Sequence, residues 1–356
     1  MAKEAVLEAL ERIGLPDGGT LVSRDMVRAL AVEGGAVRFV IEAPTPDMAR
    51  AMEPVRAAAE RVVKELDWVT SVSVVLTAHG PKEAPPEPAP SLKVGRHPTK
   101  SDGPAKVAGV DRIIAVGSGK GGVGKSTVAT NLAVAMAREG RRVGLLDADI
   151  YGPSVPRMMG LETRPASPDG EHIEPLRAHG VTFMSIGLML EEGKPVIWRG
   201  PMLMGALQQL LGQTNWGELD TLIVDLPPGT GDVQLSLCQK FTISGAVVVS
   251  TPQDVALLDA RKALAMFETL KTPVLGLIEN MSTYICPNCG HEAHLFGHGG
   301  VATEAEKLSL PFLASLPIDL DTRLGGDGGV PVAAGDGPMA ENYRRLARRF
   351  IDGGMG

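Results

Sequence analysis

Cysteine is scarce in this chain. Its 356 residues include three cysteines, too few for a disulfide framework, and two of them stand as Cys286-Pro287-Asn288-Cys289. In reducing surroundings that spacing belongs to metal or redox chemistry. No apolar run approaches the roughly 18 residues needed to span a bilayer, and the first segment, Met1 to Ile13, is charged from Lys3 and Glu4 onward, unlike a secretory signal. These absences predict a cytoplasmic protein. Basic charge is not in excess either. A formal net charge of -7 offers no footprint for nucleic acid, which needs a basic face or stripe. Aromatic residues are sparse at 4%, whereas Gly numbers 43, a balance that suits tightly packed α/β layers.

At roughly 100 to 200 residues per domain, the length predicts about two domains. Seven prolines and no aromatic residue fall between Pro81 and Pro104, a composition that cannot bury a core, so residues 79–109 read as a linker. Residues 1–78 read as a small α/β domain. Helical spacing runs through Val6, Leu7, Leu10 and Ile13, strand alternation through Val37, Phe39 and Ile41, a long amphipathic helix from Met48 to Leu66, and a closing strand through Val72, Val74 and Leu76. In residues 110–356, short apolar runs alternate with helical segments: Arg112 to Val116, Arg142 to Leu146, Thr221 to Leu226, Gly245 to Ser250, Pro273 to Ile278 and Pro311 to Leu316. Strands buried on both faces and separated by helices predict an α/β, doubly wound, mostly parallel P-loop NTPase sheet, with ligands at the carboxyl ends of the strands.

Gly119-Lys120-Gly121-Gly122-Val123-Gly124-Lys125-Ser126 fits G-x-x-x-x-G-K-[ST] between a strand and a helix. Glycines let backbone N–H groups turn toward phosphate, the helix N-terminus adds partial positive charge, and Lys125 neutralises the β and γ oxygens. Ser126 is placed to ligate Mg²⁺, and Thr127 completes the nucleotide-binding run. Asp147 and Asp149 end one strand and Asp225 another, at the same sheet edge as the loop.

Lys120 departs from the general loop pattern. It resembles the signature lysine of the deviant Walker A loop, K-G-G-V-G-K-[ST], of MinD, ParA, the nitrogenase iron protein and the arsenite-pump ATPase. The resemblance implies a homodimer facing across two nucleotides, with Lys120 reaching the partner's phosphates much as an arginine finger does. It also implies that Asp149 positions or deprotonates the attacking water, that Asp225 holds Mg²⁺ through water, and that Gly229 offers its N–H to the γ-phosphate. Asn280, and the Pro317 and Asp319 region, stand where this superfamily reads adenine. Asp147 and Asp232 are expected to be structural or capping residues.

The runs Asp147 to Ser154 (DADIYGPS), Trp198 to Met202 (WRGPM), Asp225 to Asp232 (DLPPGTGD) and Asn280 to Ser282 (NMS), together with Cys286 and Cys289, closely resemble the Mrp/ApbC family of iron-sulfur cluster carriers over Val110 to Ile351. The resemblance implies a 4Fe-4S cluster bridging two subunits, transferred to apo-proteins in a process that requires ATP. Residues 1–78 resemble an iron-sulfur assembly domain but show Leu15-Pro16-Asp17-Gly18 where that domain often has Asp-Pro-Glu, and no Cys around Thr45-Pro46-Asp47-Met48. Docking rather than cluster binding is expected of them.

Three alternatives compete. Cys-Pro-x-Cys-Gly is also a zinc-ribbon knuckle, followed here by His291, His294 and His298, which read as polar loop residues. A thioredoxin-like pair would open a helix, whereas this one follows a strand. A MinD-like positioning ATPase would use the C-terminal stripe Tyr343, Leu346, Ala347, Phe350 and Ile351 on a membrane; that stripe is expected to pack on the sheet, with no stable membrane association. Cys238 reads as a buried small apolar residue.

Overall fold

The computed structural model describes residues 2–15, 18–43, 48, 51–78, 104–189 and 200–356. Most of the stretch expected as a linker therefore lies outside the described residues, as do Pro16-Asp17, Thr45-Pro46-Asp47 and Trp198-Arg199. The chain divides into two compact units, Met1–Glu87 and Pro88–Gly356.

In the first unit, β1 (Val27–Glu33), β2 (Ala36–Ala43) and β3 (Ser71–Ala78) lie in that order, β1 antiparallel and β3 parallel to β2. The period of two in β2 turns Val37, Phe39, Ile41 and Ala43 inward. Val6 and Leu10 of α1 (Ala2–Leu10) and Val55, Ala59 and Val63 of α2 (Glu53–Lys64) share that core. Met48 and Ala51 are helical too, with Met52 N–H donating to the Met48 carbonyl at 3.0 Å, and α2 itself starts at Glu53 with Pro54 in its first turn, the one place in a helix where a missing N–H is harmless. Strand β1 carries no clean alternation. A register shift between Arg28 and Ala31, with Ala29 in the left-handed region, inserts an extra residue and scrambles the pattern.

The second unit is built on a nine-stranded sheet of order β11-β10-β9-β4-β8-β5-β7-β6, with β12 (Phe312–Ile318) also beside β10. Four central strands, β4 (Ile113–Gly117), β5 (Val143–Asp147), β8 (Thr221–Asp225) and β9 (Gly245–Ser250), are buried along their whole length and pair in parallel. Their unbroken apolar runs follow from cores on both faces. In β4, Ile113 and Ala115 join the core that holds Leu207 and Phe267, while Ile114 and Val116 join the one that holds Leu132 and Phe350. Each fully buried side chain of this size contributes roughly 1.5–3 kcal/mol relative to exposure. The first core is covered by α5 (Gly200–Gly212), α6 (Asp232–Lys240) and α7 (Asp254–Thr269), and the second by α3 (Lys125–Arg138) and α10 (Pro338–Asp352).

Strand β7 (Val181–Ser185), fully buried beside β5, was not among the expected strands, nor was its short antiparallel neighbour β6 (Leu176–Ala178). Strand β10 (Val274–Ile285) runs well past the expected Ile278 and hairpins into β11 (Glu292–Ala293). Its pairing with β12 shifts between Asn280 and Tyr284, and Met281 there is left-handed. That conformation costs a non-glycine residue on the order of 1–2 kcal/mol.

The C-terminal stripe is buried: Tyr343, Leu346, Ala347 and Phe350 pack into the sheet core. Arg344 and Arg348 pair with Glu139 at the end of α3, and Arg349 donates to the Leu313 carbonyl. Cys238 is buried on α6 among apolar neighbours, as expected of a small core residue.

Candidate functional site

The phosphate loop leaves the end of β4 and enters α3 at Lys125, with Gly124 as its left-handed cap. Two of its glycines are dictated by close approach. A Cβ at Gly119 would run into the backbone carbonyl of Asp259 on α7, and one at Gly124 into the amide of Asn280. The first turn of α3 carries no acidic residue. No carboxylate of the helix itself therefore competes for the N–H groups and positive dipole end of its first turn, as suits an anion site.

Adjacent strand ends bring the carboxylates together. Asp147 and Asp225 are register partners across β5 and β8, and Val116 of β4 pairs with Asp225 on its other side. Lys125 Nζ donates to Asp225 Oδ1 at 2.5 Å and to Ser126 Oγ at 3.2 Å, and lies 3.9 Å from Asp149 Oδ2. Burial pushes the Asp225 carboxyl up from its ordinary value, and the Lys125 ammonium opposes that push. Among the described residues, Asp149 Oδ1 and Asp225 Oδ2 are buried with no hydrogen-bond partner. Two unsatisfied anionic oxygens next to a Ser hydroxyl form the hard, oxygen-rich donor set that suits Mg²⁺.

Asp147 does structural work at this edge. Its carboxylate accepts from the N–H groups of Asp149, Ser154 and Val155 at 3.1 Å each, and from the Ser185 hydroxyl at 3.0 Å. Both ends of the segment carrying Asp149 are thereby tied to one buried group. Burial, then the neighbouring Asp225 charge, raises the Asp147 carboxyl to about 7. Asp232 opens α6, an acid at the positive end of a helix.

The loop also opens on a cavity of about 700 Å³, lined along one side by residues 120–127. Asn280, Pro317 and Asp319 line it as well. Two of these already have partners within the chain. Asn280 Nδ2 donates to the Val123 carbonyl at 2.9 Å, tethering the phosphate loop to β10, and Asp319 caps α9 (Leu320–Gly328) through the Thr322 N–H at 2.7 Å. Tyr343, fully buried at the same wall, has its phenol pushed up by burial and by the Asp319 carboxylate. In this structure the Gly229 N–H donates to the Ser118 carbonyl at 2.9 Å rather than standing free, and Lys120 Nζ leans on Gln253 Oε1 at 3.4 Å. Gln234 grips the Pro227 and Gly229 carbonyls at 2.8 and 3.2 Å; no motif announces it, because its partners are backbone atoms. Arg157, Met158 and Arg323 also reach the cavity, and again only tertiary placement brings them there.

Cys286 and Cys289 occupy the tip of the β10–β11 hairpin. The turn is closed by Cys286 N–H to the His291 carbonyl and by Gly290 N–H to the Cys286 carbonyl, 2.9 Å each. Hydrogen bonds from the Cys289 and Asn288 N–H groups, then from the Cys289 thiol, lower the Cys286 thiol from its ordinary value. This is a turn prepared for a thiolate ligand. Among the described residues, no three His, Cys, Asp or Glu side chains come together to hold a metal. His294 and His298 stack on each other, with centroids 4.3 Å apart.

Residues 109–351 match the family described as the NUBPL iron-transfer P-loop NTPase. The chain belongs to that family. Residues 3–74 match the iron-sulfur cluster assembly protein family. The chain is 52% identical over 246 residues to an iron-sulfur cluster carrier protein of Haemophilus influenzae, covering 68% of this chain and 66% of that protein. It is 42% identical over 358 residues to an iron-sulfur cluster carrier protein of Aquifex aeolicus, covering 98% of this chain and 97% of that one. Among solved structures, a nucleotide-binding protein of Archaeoglobus fulgidus in complex with ADP is similar with a TM-score of 0.56 and 44% identity, covering 62% of this chain and 88% of that one.

Proposed function

We propose that this protein is an ATP hydrolase that carries a 4Fe-4S cluster between two copies of itself and passes it to apo-proteins in the cytoplasm. The observation that supports the reading most is an asymmetry of completeness: Lys125, Asp149 and Asp225 gather in one chain around the phosphate loop, whereas the Cys286–Cys289 turn offers two thiols. A cubane has four irons, each needing a ligand, so two turns from two chains close the count. Residues 1–78 would serve as the docking domain, residues 79–109 as the linker, and residues 110–356 as the motor and cluster domain.

Within the phosphate site, residues 119–127 would wrap the β and γ phosphates, and Lys125 would shift part of its attention from Asp225 to them. Ser126, with Asp225 through water, would hold Mg²⁺, which supplies charge neutralisation on the phosphates. Asp149, held in place by Asp147, would orient the attacking water. Gly229 would exchange the Ser118 carbonyl for the γ-phosphate, and Lys120 would leave Gln253 for the partner's phosphates. Asn280, Pro317 and Asp319 would flank adenine, with the Asn280 amide still anchored on the loop.

Anaerobic loading with iron and sulfide, followed by spectroscopy and metal analysis, tests the reading. A brown protein with one cluster per two chains and ATP turnover is expected. A colourless protein that takes up stoichiometric zinc under the same conditions would overturn the carrier function in favour of a structural clasp.

A further inference from the structure

Four cations line the nucleotide cavity, and three have partners. Lys125 is paired with Asp225, Arg323 with Asp327 at 2.8 Å, and Lys120 leans on Gln253. The fourth, Arg157, is exposed, and its guanidinium makes no hydrogen bond or ion pair with any described residue. An unpaired guanidinium in a concave site is an anion receptor, with a planar fork of donors that matches two phosphate oxygens.

Its position is fixed by the fold. Arg157 sits on α4 (Val155–Met159), whose first N–H groups, those of Ser154 and Val155, are held by the buried Asp147 carboxylate. At its other end α4 stops at Gly160, which lies against Gly329 at the end of α9: a Cβ on Gly160 would come within 2.7 Å of the Gly329 carbonyl oxygen. The His179 Nε2–H donates to that same oxygen at 2.9 Å. Helices α4 and α9 therefore form one rigid wall of the cavity, with Gly326 of α9 opposite Met158. The phosphate loop provides a second wall and the ends of β10 and β12 a third.

We propose that Arg157 binds the α-phosphate of the nucleotide. This rests on the nucleotide reading given above: with the β and γ phosphates in the loop and the base between Asn280 and Pro317, the middle of the molecule faces α4 and α9. There, among the described residues, the one unpaired positive charge is Arg157, and the Arg323 charge is already offset by Asp327. Lys125 serves phosphates that are lost or rearranged on hydrolysis. Arg157 serves the phosphate that substrate and product share, so it sets affinity without discriminating between them.

The test is binding of ATP, ADP and adenosine, each with Mg²⁺, to the full chain and to its Arg157→Ala and Arg157→Lys variants, alongside ATP turnover. Arg157→Ala is expected to weaken ATP and ADP by a similar factor of roughly tenfold, as befits loss of a charge-assisted hydrogen bond at a partly exposed site. Adenosine affinity should stay unchanged, turnover at saturating ATP should fall less than about threefold, and Arg157→Lys should recover part of the loss. Unaltered ATP and ADP affinity in Arg157→Ala would overturn the proposal. So would a loss confined to ATP, which would place the contact on the γ-phosphate, or an equal loss for adenosine, which would place it on the sugar. If the unaltered protein binds no nucleotide at all, the ATPase reading fails first, and the two failures are thereby distinct.

Discussion

The phosphate loop and the cysteine turn hang from neighbouring parts of one sheet, yet one gathers paired charges within the chain while the other, among the described residues, presents two thiols and no third ligand. Around the loop, Lys125 and Asp225 are 5% and 0% exposed and already paired, and the flanking strands are buried on both faces. At the turn, Cys286 is half-buried, Cys289 is exposed, and no third ligand is near among the described residues. A buried, pre-paired site can bind its ligand with little rearrangement of the chain. A two-ligand site at a hairpin tip stays unsatisfied until another molecule supplies the rest, a condition suited to something picked up and handed on.

The largest effect that would sharpen this contrast is all or none. Cys286→Ser or Cys289→Ser should abolish cluster retention after anaerobic loading while ATP affinity remains within about twofold, and Cys238→Ala should keep both properties; iron counts and nucleotide titration check it. A variant that keeps a full cluster with one of the two thiols missing would break the comparison.

Next in size, Lys125→Ala should lower turnover by roughly 100-fold or more and weaken nucleotide binding, whereas Asp149→Ala should lose turnover and keep binding. Removing Lys125 also strands the Asp225 charge in the core, which costs about 3–5 kcal/mol when a buried pair is broken. A lowered melting temperature in Lys125→Ala, partly restored by adding Asp225→Asn, is the expected signature.

A smaller effect concerns the arrangement between subunits. Lys120→Ala should bind ATP and hydrolyse it poorly, and mixing it with Lys125→Ala subunits should restore part of the activity, since each dead chain supplies what the other lacks. Confirmed heterodimers with no recovered turnover would remove the action in trans.

The smallest is a ranking of thiol reactivity in the metal-free protein. Hydrogen bonds lower the Cys286 thiol, and burial pushes Cys238 up to about 11, so near pH 7.5 iodoacetamide should modify Cys286 first and Cys238 last. Peptide mass spectrometry at timed quenches reads the order. Raising the pH toward 9 should narrow the gap, because more of every thiol is then ionised.

Local rules made the phosphate loop legible: a glycine pattern, a lysine and a strand-to-helix context lie within ten residues of one another. The parallel sheet was legible for the same reason, as strands buried on both faces are written as plain apolar runs. Strand β7 is such a run too, but its neighbour β6 is three residues long and carries no alternation to draw attention to the pair. The bulge in β1 hid a strand by breaking its period. A structural role for Asp147 was legible, but its partners, and those of Gln234 and Asn280, were not, because they lie on other elements or are backbone atoms with no sequence signature.

Strand β10 links the two regions. Asn280 grips the phosphate loop, Met281 follows in its left-handed bend, and Cys286 comes five residues later at the tip. An extended arm of that length reaches roughly 17 Å. Pivoting about the bend by about 5° would sweep the thiols by roughly 1.5 Å over that reach. The strand is thus a lever arm, with its elbow placed immediately beyond the residue that anchors the phosphate loop.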